Sequence, residues 1–166
     1  MVARTADRRL QKGEHSRTRI LRTAVEIIAA EGLKSMSAAK LASASGVSKS
    51  AIFHHFKTID DVLANALQLV VDEMRTTMGS GAFKDAEHFL QSLGDSMFQT
   101  PEASMTLFRA FLCFSHESLF NPAYRESLAD FMKQMERFFQ AELARLTPES
   151  VEQAAIDSAA SLLLPI

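Results

Sequence analysis

Apolar residues recur along this chain at the spacing of one face of an α-helix. Between Glu14 and Glu31 they fall three, four and seven positions apart, as Ile20, Leu21, Ala24, Val25, Ile27 and Ile28, which predicts an amphipathic helix. The same spacing predicts further helices over 59–79, 84–99, 101–118, 122–146 and 148–164. No segment alternates with period two through β-branched residues. The sequence therefore predicts an all-α fold of about eight helices, three of them before residue 58.

Two of those three helices are short and separated by a tight break. Ser37 is a candidate N-cap for the first, which ends near Ala44, and Ser48 for the second, over about 49–56. Gly46 lies between them and supplies the positive φ that such a turn requires. A longer helix followed by two short helices around a glycine turn is typical of a helix-turn-helix.

The residues around the turn meet the packing needs of that motif. Ala42 is small where the two helices cross, and Ile52 is apolar where the second helix packs on the first. An ordinary helical hairpin remains an alternative on spacing alone. In a helix-turn-helix the second helix enters the major groove with its N-terminal side chains at base edges. Lys49 and Ser50 occupy that position, His54 and His55 follow one turn on, and Lys57 suits a phosphate contact.

The charge distribution favours a nucleic-acid partner for this segment. Residues 1–57 hold 11 Lys and Arg against four acids, a net +7, whereas 58–166 are −9. Such asymmetry between halves suggests that one half meets a polyanion. The arginines and lysines of residues 1–13 are interpreted as a flexible basic arm, so the predicted domains are the arm 1–13, the helix-turn-helix 14–57 and a helical domain 58–166.

Several other classes of protein are disfavoured by composition. A single cysteine, Cys113, excludes a disulfide framework and a multi-cysteine zinc site. No apolar run is long enough for a membrane span, and the charged N-terminus lacks the apolar core of a secretory signal, so a cytoplasmic protein is expected. The histidines have no metal-ligand spacing, and neither a glycine-rich phosphate loop nor a nucleophile elbow is present. We therefore expect no cofactor, no metal and no enzymatic activity.

From Arg19 to Val62 the sequence resembles the DNA-binding domain of the tetracycline-repressor (TetR) family. The resemblance rests on Arg-Ile-Leu-Arg-Thr-Ala, Glu-Gly-Leu, Lys-Leu-Ala, Ala-Ser-Gly-Val-Ser-Lys and Ile-Phe-His-His-Phe. It implies a homodimeric, ligand-responsive transcriptional regulator, usually a repressor released from a pseudo-palindromic operator. The implied DNA-binding residues lie at two helix starts and along the recognition helix: Ser37, Ser48, Lys49, Ser50, Ala51, Phe53, His54, His55 and Lys57.

Three positions depart from the pattern that the resemblance implies. Phe53 stands where the family often has tyrosine, Ile59 where it often has lysine, and Ala39 where it is often basic. Each departure removes a group that would reach a phosphate. They leave open a second interpretation, a small-molecule-binding helical protein whose DNA binding has weakened or been lost. A helical-bundle enzyme is a third.

The acidic segment after residue 57 is interpreted as the effector-binding and dimerisation domain. It holds ten of the 12 phenylalanines and six of the eight methionines, residues that suit an adaptable apolar pocket but also fill ordinary helical cores. A small, largely apolar effector is expected. The candidate pocket residues are Met74, Met97, Phe108, Arg109, Phe111, Cys113, His116 and Met135, with Tyr124 as a further polar candidate.

The last predicted helix carries the candidate dimer seam. Members of the family usually run longer and pair through their last two helices as a four-helix bundle. This chain has one clear helix after Thr147 and ends on Leu164-Pro165-Ile166, which suggests a C-terminal truncation or a shortened interface. The seam then rests on Val151, Ala155, Ala159 and Leu162.

Overall fold

The computed structural model describes residues 2–79, 83–98, 102–147 and 153–162. Within these ranges it contains eight α-helices, one single-turn 3₁₀ helix (Leu33–Ser35) and no strand, so the all-α prediction is confirmed. The helices are α1 (Val2–Glu31), α2 (Ala38–Ser45), α3 (Lys49–His55), α4 (Ile59–Gly79), α5 (Ala86–Phe98), α6 (Glu102–Ser118), α7 (Pro122–Leu146) and α8 (Gln153–Leu162). The segment 148–152, expected to open the last helix, lies outside the described residues.

Helix α1 is longer than the sequence pattern predicted. Residues 2–13, expected to form a flexible basic arm, are its first turns. The segment 2–12 holds neither proline nor glycine and consists largely of good helix formers such as Ala, Arg, Leu, Gln and Lys. Gly13 lies inside the helix, where a glycine costs about 0.5–1 kcal/mol relative to alanine. Periodicity alone missed these turns because they present no apolar stripe.

The connections between α1, α2 and α3 follow the predicted caps. Ser37 accepts a hydrogen bond from the backbone N–H of Lys40 (3.2 Å), and Ser48 accepts one from Ala51 (3.1 Å). Gly46 ends α2 in the left-handed region with φ 65°. Gly32, which precedes the 3₁₀ turn Leu33–Ser35, has φ 79° and an extended ψ of 168°.

The chain divides into two compact units that do not follow the predicted boundary after Lys57. The first unit comprises Met1–Val70 and Thr106–His116, and the second comprises Val71–Met105 and Glu117–Ile166. The first half of α4 therefore belongs with the helix-turn-helix. Helix α4 continues without a break from Ile59 to Gly79. The position after Lys57, where the net charge of the chain changes sign, therefore lies within the first compact unit.

In the first unit, α1 packs against α2 and α3, and α2 packs against α3. The fully buried side chains include Ile20, Ile28, Leu41, Ile52 and Val62. The stripe predicted on α1 is thus its buried face. Burial of such side chains contributes roughly 1.5–3 kcal/mol each, which is what holds the short α2 and α3 in place.

In the second unit, α7 packs against α8. The buried side of α7 repeats every three or four residues as Tyr124, Leu128, Phe131, Met135, Phe139 and Leu143. Helix α8 buries Ile156 and Ala160. On α5, Phe89 is fully buried, and its ring lies 4.8 Å from that of Phe83 and 5.9 Å from that of Phe139. Among the described residues, no helix combines the length and apolarity needed to span a bilayer.

Candidate nucleic-acid interface

Helix α3 is anchored to its unit by one apolar side. Ile52 is 0% exposed, and Phe56, which follows the helix, is 2% exposed. The C-terminal cap is made by the backbone N–H of Phe56, which donates to the carbonyl oxygen of Ile52 (2.9 Å). A helix of two turns cannot persist on propensity alone, so this burial determines how α3 is presented.

The opposite side of α3 faces solvent. Ser50, Phe53 and His54 are exposed and follow the i, i+3, i+4 spacing of one helical face. Lys49 is exposed at the start of the helix, while Ala51 and His55 are half-buried at its flanks. The His54 and His55 rings meet edge to face, with centroids 5.3 Å apart. The structure therefore groups the hydroxyl, the imidazole and the phenyl ring on one solvent-facing side of α3.

The two serine caps also lie at this surface. Both Ser37 and Ser48 are exposed, and each satisfies a backbone N–H of its own helix. The Ser48 and Ser50 hydroxyl oxygens lie 2.8 Å apart, so one hydroxyl donates to the other. Each cap thus fixes a helix start, and the serines are placed where the sequence predicted them.

The segment after α3 is fixed by a capping arrangement at the start of α4. The backbone N–H of Asp61 donates to the Thr58 hydroxyl (3.0 Å), and the Asp61 carboxylate accepts the backbone N–H of Lys57 (2.9 Å). These two hydrogen bonds form a variant of the capping box, in which the Asp61 carboxylate accepts from Lys57, one residue before Thr58. Lys57 keeps an exposed side chain, on a backbone that is held in place.

Sequence reasoning missed a group that ties α1 to this segment. The Arg17 guanidinium donates to the Asn65 side-chain oxygen (2.6 Å) and lies 5.3 Å above the Phe56 ring. Asn65 in turn donates to Asp61, at its backbone carbonyl (2.8 Å) and at its carboxylate (2.9 Å). In the sequence, Arg17 is recognisable only as one of the basic residues that give segment 1–57 its net charge of +7. Its partner lies 48 positions away, a separation that no local pattern signals.

Not every basic side chain of the first 57 residues is a free positive charge. Lys40 forms an ion pair with Glu31, and Arg17 is half-buried with the partners described above. Lys49 and Lys57 are the exposed lysines at the two ends of α3. The net charge of residues 1–57 is therefore larger than the positive charge that their surface can bring to a phosphate backbone.

The three residues that depart from the expected pattern differ in how far they are buried. Phe53 and Ala39 are exposed, and Ile59 is half-buried at the first position of α4. Ile59 thus contributes to packing where a lysine would have extended toward solvent. Phe53 and Ala39 leave apolar surface where the family often presents a polar group.

Five candidate pocket residues lie on the part of α6 that belongs to the first unit. Phe108, Phe111 and Cys113 are half-buried, whereas Arg109 and His116 are exposed. The fully buried residues of this segment are Ala110 and Phe114, which the sequence did not single out as the inward face.

The other three candidate pocket residues belong to the second unit. Met135 is 2% exposed in α7, and Met74 is half-buried in α4. Met97 lies in α5, and its side chain is outside the described residues. Tyr124, a further polar candidate, is buried on α7. The eight residues are therefore not gathered within one unit, and their joint role stays a prediction.

Cys113 has the environment of a structural thiol. Its Sγ lies 3.5 Å from the carbonyl oxygen of Ile28, to which it donates. Burial raises the pKa of the Cys113 thiol above its ordinary value, which lowers the thiolate fraction that redox chemistry needs. Among the described residues, no group of three or more His, Cys, Asp or Glu side chains is placed to hold a metal ion.

The candidate dimer seam lies on the outer side of α8. Ala155 and Ala159 are exposed, and Leu162 is 86% exposed, while Ile156 and Ala160 on the other side are buried. Val151 lies outside the described residues. The three described members of the seam therefore share one exposed apolar face.

Comparison with known proteins identifies the family of the N-terminal part. Residues 20–66 match the family model for bacterial regulatory proteins of the tetR family. These residues run from the middle of α1 through α3 into α4. No match was found among curated protein sequences.

Solved structures extend the likeness to most of the chain. A transcriptional regulator from Rhodococcus sp. Rha1 aligns with a TM-score of 0.75 at 21% identity, covering 88% of this chain and 76% of that one. A putative TetR-family regulator from Rhodococcus sp. gives 0.69 at 21%, covering 90% and 84%. A putative transcriptional regulator from Saccharomonospora viridis, in complex with choline, gives 0.65 at 23%, covering 90% and 82%.

These findings confirm the resemblance of the N-terminal part to the tetR family and the all-α fold. The chain contains the TetR-family N-terminal domain, with a helix-turn-helix at α2 and α3, and has the fold of TetR-family transcriptional regulators.

Proposed function

We propose that this protein is a ligand-responsive transcriptional regulator that binds duplex DNA through α3. The observation that carries the proposal is the division of α3 into two sides. Ile52 anchors one side in the core, and the other presents Ser50, Phe53 and His54 to solvent. A short helix with one side anchored in the core and the other exposed to solvent is the element that a helix-turn-helix inserts into a major groove.

The exposed side chains supply both kinds of contact that DNA recognition needs. Lys49, Ser50 and His54 carry donors that suit base edges, with lysine favouring the acceptors of guanine. Lys57, Ser37 and Ser48 suit phosphates, which position the protein without reading sequence. Ala51 and His55 lie at the flanks of the helix, where they would border the groove.

The charge of the N-terminal segment supports a strong electrostatic contribution. Residues 1–57 carry a net +7, although some of that charge is already paired within the protein. Neutralising phosphates releases counterions, so the logarithm of the binding constant should fall by about 0.9 per phosphate for each unit of log salt concentration. We expect binding to weaken steeply with salt.

The effector is proposed to be a small, largely apolar molecule that binds among the helices after α3. The candidate residues are Met74, Met97, Phe108, Arg109, Phe111, Cys113, His116 and Met135. A similar regulator was solved with choline, which supports small-molecule binding in this fold. An effector that binds one conformation better than another shifts the population between them, and repression is released when the favoured state binds DNA less well.

A homodimer completes the proposal. Two copies of α3 would read two half-sites of a pseudo-palindromic operator about one helical turn apart. The proposed seam is the exposed face of Ala155, Ala159 and Leu162, together with Val151. We propose a cytoplasmic location for this homodimer, where it would have access to DNA.

The decisive experiment is selection of bound duplexes from a random pool, followed by affinity measurement on the enriched sequence. The double variant Lys49→Ala, His54→Ala should bind at least tenfold more weakly, since each lost base contact costs about 1–3 kcal/mol. Lys133→Ala is the matched control, because Lys133 is an exposed lysine on α7 of the second unit. Unchanged affinity of the double variant at low salt would contradict the assignment of α3.

A second candidate function has specific support. Phe53, Ala39 and Ile59 each lack the polar group that the family often presents to phosphate. A small-molecule-binding protein with weakened or lost DNA binding would carry such replacements. Failure of the selection to enrich any duplex, with no salt-sensitive binding, would favour this candidate.

A further inference from the structure

Phe53 is an exposed aromatic ring on the outward face of α3. It is 46% exposed, whereas Ile52 beside it is 0% exposed and Phe56 is 2% exposed. Helical spacing places Phe53 with Ser50 and His54, away from the buried side. The ring is therefore not part of the core that anchors the helix.

The chemistry of a phenyl ring restricts what Phe53 can recognise on DNA. Ser50 and His54 donate or accept hydrogen bonds, but a phenyl ring does neither and cannot replace a hydroxyl at a phosphate. In the major groove, the apolar group that a base edge presents is the C5-methyl of thymine. A ring held among polar neighbours on a groove-facing surface is matched to that methyl.

We propose that Phe53 is a specificity-determining residue that contacts a thymine C5-methyl in each operator half-site. This inference rests on the proposed DNA-binding function and adds the base that one position reads. Phe53 lacks the hydroxyl of the tyrosine that the family often has at this position, but its ring would still recognise one base of the operator. The operator should then hold one thymine that cannot be replaced without loss.

The position of the ring is fixed well enough for such a contact. Ser48 caps the start of α3 through the backbone N–H of Ala51 (3.1 Å), and Ile52 and Phe56 hold its buried side. Two side-chain torsions then determine where the Phe53 ring lies. Aromatic side chains lose little conformational entropy when they form contacts, which favours their use in recognition.

The test uses thymine analogues, so it does not depend on a protein variant. In the selected operator, each thymine is replaced in turn by deoxyuridine, which lacks the C5-methyl and keeps base pairing. Binding is measured by fluorescence anisotropy with the full chain. At one position of each half-site we expect about a fourfold loss per methyl, the value of burying one such group.

Protein variants connect that position with Phe53. Phe53→Ala should bind the thymine and deoxyuridine operators equally at the sensitive position while keeping its discrimination elsewhere. Leu90→Ala is the control, because Leu90 is exposed to a similar degree (47%) on α5 of the second unit. It should retain the full difference between thymine and deoxyuridine.

The outcomes separate the inference from the function on which it rests. Tight binding of the wild-type protein with no loss at any deoxyuridine position would overturn the inference and leave the DNA-binding function standing. A Phe53→Ala variant that keeps the thymine preference would also overturn it, since another side chain then reads the methyl. If no duplex is enriched at all, the proposed function itself fails.

Discussion

Helices α3 and α8 are built alike and expose opposite chemistry. Each is short and held by one buried side: Ile52 in α3, and Ile156 with Ala160 in α8. The exposed side of α3 carries a hydroxyl, an imidazole and a ring beside Lys49. The exposed side of α8 carries Ala155, Ala159 and Leu162. The buried sides determine how each helix is presented, and the exposed sides determine what it can meet.

The difference follows from how favourably each surface is hydrated. Donors and cations on α3 stay hydrated in the free protein and exchange water for phosphates and base edges on binding. Small apolar residues on α8 gain by leaving water, at about 25 cal/mol per Å² of apolar surface. Alanines also let a second helix approach closely. We therefore expect α3 to meet a polyanion and α8 to meet an apolar surface such as its own copy.

The largest expected effect distinguishes two phenylalanines, one from each unit. Phe89 is fully buried against Phe83 and Phe139, whereas Phe53 is 46% exposed. Phe89→Ala should lower the free energy of unfolding by about 3–5 kcal/mol, through lost burial and the cavity left behind. Phe53→Ala should lower it by less than about 1 kcal/mol, as an exposed position does. Urea denaturation followed by circular dichroism measures both.

If the two variants lost equal stability, Phe53 would belong to a core and the inference about thymine would lose its basis. Equal loss would also contradict the two-sided description of α3. Duplex binding by Phe53→Ala should be measured on protein shown to be folded, so that an effect on DNA recognition is separated from an effect on stability.

Helix placement was largely predictable from sequence because its signals are local. The serine caps, the Gly46 turn and the buried stripe of α1 each act over a few residues. Gly46 and Ile52 could be interpreted together because the helix-turn-helix imposes fixed spacing on them. The same logic failed for residues 2–13, where a helix forms without an apolar stripe.

Long-range structure was less accessible from the sequence. The Arg17–Asn65 hydrogen bond joins positions 48 residues apart, and no sequence pattern near Arg17 predicts it. The inward face of α6 is likewise Ala110 and Phe114, while the residues of α6 predicted for a pocket are half-buried or exposed. A run of aromatic and sulfur-containing side chains does not indicate which of them face inward, because that depends on the partner helix.

The second prediction concerns the exposed face of α8. Ala159→Glu places a carboxylate in the proposed seam and should raise the dissociation constant of the dimer at least tenfold, about 1.4 kcal/mol. Ser158→Glu is the matched control, because Ser158 is the exposed neighbour on the same helix and donates to the carbonyl oxygen of Ala154 (2.8 Å). Sedimentation velocity over a concentration series measures both. A wild-type protein that stays monomeric throughout would remove α8 as a seam.

The third prediction compares two glycines of the first unit. Gly46 has φ 65° and Gly13 lies inside α1, and a Cβ built at either position meets nothing within 4 Å. Gly46→Ala should cost about 1–2 kcal/mol, since an L-residue is strained in the left-handed region. Gly13→Ala should gain up to about 1 kcal/mol from helix propensity. Thermal unfolding should show shifts of opposite sign, and equal shifts would contradict the turn geometry.

The smallest expected effect tests whether a helix cap and a DNA contact can be separated. Ser48 caps α3, and Asn121 caps α7 by accepting the backbone N–H of Ala123 (3.0 Å). Replacing either by alanine should cost about 1 kcal/mol of stability, the usual value of an N-cap side chain. Because α3 spans only Lys49–His55, loss of its cap should also loosen the surface that we propose reads DNA. Ser48→Ala should therefore weaken duplex binding several-fold while Asn121→Ala leaves it unchanged. Equal binding by the two variants would mean that burial of Ile52 alone is sufficient to present α3.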